Sequence, residues 1–145
     1  MNPLRWAKAE VLHLAWKRGR YTPPDRDLLE REILPGLAGE AGHDRVLSVG
    51  VAWYTRGYAS AFAGRTFVTL DVDPARAELG GPDHIVGDLR ELERLVEPTA
   101  PFDLVLMNGV IGYGLDDPDH VDRALEAAAE RMRPGATLLI GLNEE

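Results

Sequence analysis

The chain has no cysteine among its 145 residues, which excludes disulfides, thiolate metal sites and cysteine nucleophiles together. Histidine is scarce, and the four present do not have metal-ligand spacing, so no metal site is expected. No apolar run approaches the roughly 20 residues of a membrane span. The N-terminal apolar positions are broken by Arg5, Lys8, Glu10 and Lys17, so no signal-peptide core is expected either, and a cytoplasmic location is. Basic residues are outnumbered 16 to 24, giving a net charge of -8. That acidity works against non-specific binding to nucleic acid and favours small molecules or proteins as partners. Also missing are a Walker phosphate loop, a G-x-S-x-G elbow and an H-E-x-x-H pair, which sets aside the nucleotide hydrolases, the serine hydrolases and the zinc proteases that use them.

What remains is ordinary globular material: 45% hydrophobic and 28% charged residues, in a length suited to one domain. Residues 1–145 are expected to form it, with 1–40 as a helical cap and 41–145 as an α/β core. Charge is uneven, since residues 1–20 carry +4 and the remainder -12. Leu4, Ala7, Val11, Leu14 and Ala15 fall at three- and four-residue spacings, which predicts an amphipathic helix over 3–18. Tyr21-Thr22-Pro23-Pro24-Asp25 breaks it. A second helix bearing Leu28, Leu29, Ile33 and Leu34 is expected to end near Pro35-Gly36.

Short apolar runs bounded by turn residues then alternate with helical stretches. The candidate strands are 45–50, 66–71, 84–86, 102–107 and 137–141, and a helix over 118–133, capped by Asp117, is expected to stop at Pro134-Gly135. This alternation implies βαβ units and a doubly wound, mainly parallel five-stranded sheet. In such folds ligands bind beyond the carboxyl ends of the strands, where the strand order reverses. Those ends carry Ser48-Val49-Gly50-Val51-Ala52-Trp53-Tyr54, Asp71-Val72-Asp73-Pro74, Gly87-Asp88 and Asn108-Gly109.

In their order and spacing over roughly residues 40–142, these elements resemble the class I S-adenosylmethionine (SAM)-dependent methyltransferases, a Rossmann-like family. Arg133-Pro134-Gly135-Ala136 looks like that family's Pro-Gly-Gly turn before strand five. The first motif departs from the pattern: Ser48 stands at the acidic position, Gly50 at the first glycine, and Ala52 and Tyr54 replace the second and third. The resemblance implies a cofactor site formed by Gly50, Ala52, Trp53, Tyr54, Asp71, Asp88, Leu89 and Asn108. In it Asp71 would accept both ribose hydroxyls, Asp88 would meet the adenine amino group, and Leu89 would pack on the ring. By local chemistry alone, Asp88 is equally suited to cap the helix expected over 89–96, Asp73 to cap one starting at Pro74, and Trp53 and Tyr54 to plain packing. His84 is assigned no role.

The loop 108–117 would face the transferred methyl group. Asn108, Tyr113 and His120 are the candidate catalytic residues, with Asp116 a further substrate contact, and only His120 has an unperturbed pKa suited to a base near neutrality. The resemblance thus implies a SAM-dependent methyltransferase acting on a small molecule. The two missing glycines, together with the absence of the family's C-terminal β-hairpin, leave open an alternative. That alternative is a pseudo-methyltransferase, serving as a binding subunit or catalysing another reaction such as a cyclisation. A homodimer is also expected, through the open edge of strand five, where Leu138, Leu139 and Ile140 lie, or through Trp6 and Trp16 of the first helix.

Overall fold

The computed structural model describes residues 3–142, which fall into two units divided between Leu37 and Ala38. In the first unit, α1 spans Pro3–Lys17, as the apolar spacing predicts. Its buried side matches the apolar stripe only in part: Ala15 is half-buried, but Val11 and Leu14 are exposed, and Leu12 and Trp16 are half-buried beside it. The Trp6 side chain lies outside the described residues. The ring of Trp16 meets His13 edge-on and carries the Arg26 guanidinium 5.8 Å from its centre. α2 (Pro24–Leu28) runs through a π-helical turn (Leu29–Ile33) into α3 (Leu34–Gly39). The helix therefore continues past Pro35 rather than ending there. Proline has no N–H to give and its ring crowds the carbonyl one turn earlier, and the widened turn immediately before it relieves both.

The second unit is a five-stranded sheet in the order β3-β2-β1-β4-β5 with every pairing parallel. Its strands are β1 (Arg45–Val49), β2 (Thr66–Asp71), β3 (Asp83–Val86), β4 (Phe102–Asn108) and β5 (Met132–Gly141). β4 is buried on both faces from Phe102 to Met107, which is why it reads as a continuous apolar run. One face of the sheet packs Leu47, Val49, Leu70, Val105 and Met107 against Ala124, Ala127 and Ala128. Those alanines belong to α6 (Pro118–Glu130), and their small side chains let the helix lie close to the sheet.

Asp117 caps α6, accepting hydrogen bonds from the N–H groups of Asp119 at 2.9 Å and His120 at 3.3 Å. The helix stops at Glu130, three residues short of expectation, because β5 already begins at Met132. Pro134 and Gly135 are not its terminator. They sit in an irregularity of β5, where Phe102 pairs with Met132 but Leu104 with Thr137, and Gly135 turns with φ +80°. The inserted residues have no partner on β4, as in a β-bulge. Arg133 at its start is tied to the carboxylate of Asp103 and donates to the Gly42 carbonyl at 2.9 Å.

The expected helix over 89–96 is present as two contiguous short turns, and the one expected from Pro74 is a 3₁₀ turn. α4 is one turn (Tyr58–Ala61), 3₁₀ turns cover Pro74–Leu79 and Leu89–Glu91, and α5 is again one turn (Leu92–Leu95).

Candidate functional site

Three strand ends converge at the point of reversal beside β1. The Gly50 N–H donates to the Leu70 carbonyl at 2.7 Å, and the Gly87 N–H to the Asp71 carbonyl at 3.0 Å. These bonds fix the turns after β1, β2 and β3 side by side. Gly50 turns with φ +81°, a left-handed angle that favours glycine, while a Cβ there would meet Val110 only at ordinary contact distance, 3.4 Å.

A cavity of about 490 Å³ opens over these ends, within the range of small-molecule sites. Its walls include Gly50, Tyr54, Asp71, Asp88, Leu89 and, from the far side, the loop 109–115 with His120.

Asp71 is the centre of the site. It is 7% exposed, yet it borders the cavity. Oδ2 accepts from the Val51 N–H and Oδ1 from the Asp73 N–H, both at 2.9 Å. Each oxygen keeps a second lone pair for another donor. Asp73 also borders the cavity and caps the following 3₁₀ turn through the Ala75 N–H at 2.9 Å. Between the two carboxylates lies Arg76, with Nη1 3.9 Å from Asp71 and Nε 3.7 Å from Asp73.

Asp88 caps the turn at Leu89 through the Arg90 N–H at 2.9 Å, and it also lines the cavity. Arg90 reaches back so that Nη2 lies 2.6 Å from Oδ2. The Arg90 side-chain hydrogen bonds hold the Asp88 carboxyl below its ordinary range, against the opposing pull of burial.

The other expected residues divide. Tyr54, Leu89, Tyr113 and His120 border the cavity, Tyr113 from an exposed loop tip. That loop bends at Gly109, Gly112 and Gly114, all with positive φ, and closes on itself through the Gly112 N–H to the Leu115 carbonyl at 3.3 Å. Ala52, Trp53 and Asn108 do not border the cavity. Ala52 is held at its N–H and its carbonyl by the Thr55 hydroxyl, each at 3.0 Å. Trp53 meets Tyr54 edge-on at 5.3 Å, the packing role open to both aromatics. The Asn108 amide lies over Gly141, where a Cβ would come within 1.8 Å of Oδ1. Asp116 is exposed beside the capping Asp117 and is not among the lining residues.

Ser48, in the acidic position of the resembled motif, points away from this site. It lines a second cavity of about 270 Å³ with Thr55 and Thr69, as alternation from Leu47 and Val49 requires. His84 bonds the Thr69 hydroxyl there at 2.8 Å. The sequence did not single out Arg76 and Arg90. The available signal was their spacing, three residues beyond the cap Asp73 and two beyond the cap Asp88.

No protein-family model matches the chain, and no curated protein matches it by sequence. Solved structures do match it. The N-methyltransferase NodS from Bradyrhizobium japonicum WM9 superposes with a TM-score of 0.62 at 18% identity, over 81% of this chain and 68% of that one. The CcbJ methyltransferase from Streptomyces caelestis gives 0.62 at 21% identity, over 83% and 49%. CalS10, an amino pentose methyltransferase from Micromonospora echinaspora solved with SAM bound, gives 0.59 at 21% identity, over 88% and 54%. The chain thus has the fold of SAM-dependent methyltransferases and spans from about half to two thirds of the length of these three.

Proposed function

We propose that this protein is a SAM-dependent methyltransferase acting on a small molecule. One observation carries this reading: a buried carboxylate, Asp71, ends β2 inside the cavity at the strand-order reversal, with a lone pair left on each oxygen. That is the chemistry needed to accept the two hydroxyl hydrogens of a ribose.

The remaining walls fit the rest of the cofactor. Asp88 and Leu89 supply an acceptor and an apolar surface for an adenine ring, and the cavity volume suits a ligand of nucleoside size. Asp71, Asp73 and Asp88 against Arg76 and Arg90 leave one excess carboxylate, which complements a ligand with a net positive charge. The same carboxylates disfavour a ribose 2′-phosphate.

SAM, when bound, supplies a methyl group already activated by its sulfonium. The protein is then left mainly with alignment of the acceptor, worth several kcal/mol when reacting atoms are held at near-attack distance. In this reading the loop 109–115 positions the acceptor, with Tyr113 at its tip, and His120 takes the acceptor's proton where it carries one. Asn108 acts indirectly, by fixing the end of β4 against Gly141. In this reading the two units work together as a single domain in the cytoplasm without nucleic acid or membrane: limited proteolysis should leave residues 1–145 in one piece, and cell fractionation should find the protein in the cytoplasm.

The test is incubation of pure protein with methyl-labelled SAM and a panel of small amines and alcohols. Label transferred to an acceptor with equal release of S-adenosylhomocysteine (SAH) is expected. Failure of folded protein to bind either SAM or SAH at millimolar concentration overturns the proposal.

Self-association belongs to the same proposal. β5 is an edge of the sheet with Ile140 and Leu142 exposed, and α1 exposes Val11 and Leu14. Open edges and apolar patches of this kind favour pairing with a second copy. Light scattering should give a mass above 16.0 kDa, and a strictly monomeric mass refutes the dimer.

A further inference from the structure

The turn after β1 lacks two of the glycines that the resembled motif would place there, yet it adopts a fixed shape. Beyond Gly50, side chains rather than glycine geometry hold it. The peptide group on each side of Val51 is engaged: its N–H donates to Asp71 Oδ2 at 2.9 Å, and its carbonyl accepts from Arg76 Nη1 at 3.3 Å. The next amide, Ala52 N–H, is taken by the Thr55 hydroxyl at 3.0 Å.

Arg76 is itself placed by two carboxylates, Asp71 at 3.9 Å and Asp73 at 3.7 Å. Asp73 in turn starts the 3₁₀ turn from which Arg76 projects. One guanidinium therefore links the turn after β1 to the end of β2, and it does so while lining the cavity.

We propose that Arg76 is a positioning residue: it locks the Gly50–Tyr54 turn in its ligand-receiving shape and keeps the Asp71 carboxylate facing the cavity. It does with a charged side chain what glycines do in the resembled motif by conformational freedom. The consequence for affinity rests on the nucleoside-binding reading given above. The consequence for the turn does not.

Two variants and two measurements separate these. Arg76→Gln removes the charge and shortens the reach, while Arg76→Lys keeps the charge and can satisfy one acceptor at a time. In the ligand-free protein, Arg76→Gln should speed hydrogen exchange at the Val51 and Ala52 amides about tenfold, while amides of β1 and β4 speed by no more than that and the melting temperature falls by only a few degrees. It should weaken SAH binding by about tenfold, as loss of a charged hydrogen bond predicts, and Arg76→Lys should recover part of that loss. Unchanged exchange at Val51 and Ala52 in Arg76→Gln overturns the proposal. So does an acceleration in β1 and β4 larger than that at Val51 and Ala52, which would mark Arg76 as acting on the sheet rather than on this turn. If wild-type protein binds no SAH, the nucleoside reading fails, and the exchange measurement still decides the role of Arg76.

Discussion

Replacing Asp71 by alanine should damage folding and ligand binding by amounts that can be worked out separately. Its two oxygens accept from the N–H groups of Val51 and Asp73. The first of these bonds is fully buried, and an orphaned buried donor costs about 1–3 kcal/mol. The second is half-exposed, so water can replace the lost acceptor for well under about 1 kcal/mol. Together they predict that Asp71→Ala loses about 3 kcal/mol of unfolding free energy in urea titration. Asp71→Asn retains a single carbonyl acceptor for the two amides and should lose about half as much. Binding adds an independent loss. Two ribose hydroxyls donating to a carboxylate contribute about 1.5–3 kcal/mol each, so SAH affinity should fall by about a hundredfold or more in folded Asp71→Ala. A stability change under about 0.5 kcal/mol would show that the turn after β1 is not held by Asp71. Undiminished SAH binding would show that the carboxylate does not meet the ribose.

Removal of the Asp117 cap by Asp117→Ala should cost about 1 kcal/mol, read as a lowered urea midpoint with unchanged slope, because two first-turn N–H groups of α6 lose their acceptor. Asp103→Asn should destabilise by about 2 kcal/mol, since the carboxylate accepts from the Asp44 and Arg45 N–H groups and from Arg133. Burial pulls the Asp103 carboxyl upward, but those three donors together hold it below its ordinary range. A carboxyl depressed by folding stabilises fully above its unfolded value, near about 3.9, and the contribution is lost as pH falls through the lower folded value. Wild-type stability should therefore fall as the pH drops from about 5 to 3, and the fall should be shallower in Asp103→Asn. Equal slopes in the two proteins would contradict the assignment.

The sheet was legible because buried parallel strands write themselves as apolar runs: β2 occupies the expected residues, and β1 and β4 differ by one at their ends. Helix limits were less legible where local stop signals were overridden. Pro35 sits inside a helix because a π turn precedes it, and Pro134-Gly135 lies within β5 because a bulge absorbs both. The apolar stripe of α1 is buried only in part, at Ala15, because spacing alone does not say which stripe is covered. At the site, Asp71, Asp88 and Gly50 could be found from their places at strand ends. Arg76 and Arg90 could not, since their roles depend on guanidinium reach across turns. Asn108 looked available from its position after β4, but its amide direction is set by the missing side chain at Gly141.

The central claim is that the strand ends around Asp71 bind the nucleoside of SAM. Titration of ¹⁵N-labelled protein with SAH, followed by amide resonances, tests it most directly. Saturable shifts should concentrate at Gly50, Val51, Asp71–Asp73 and Asp88–Arg90 and be absent from the Ser48–Thr69 cavity on the other face. Absence of any shift at millimolar SAH, or shifts confined to residues away from those strand ends, would contradict the account.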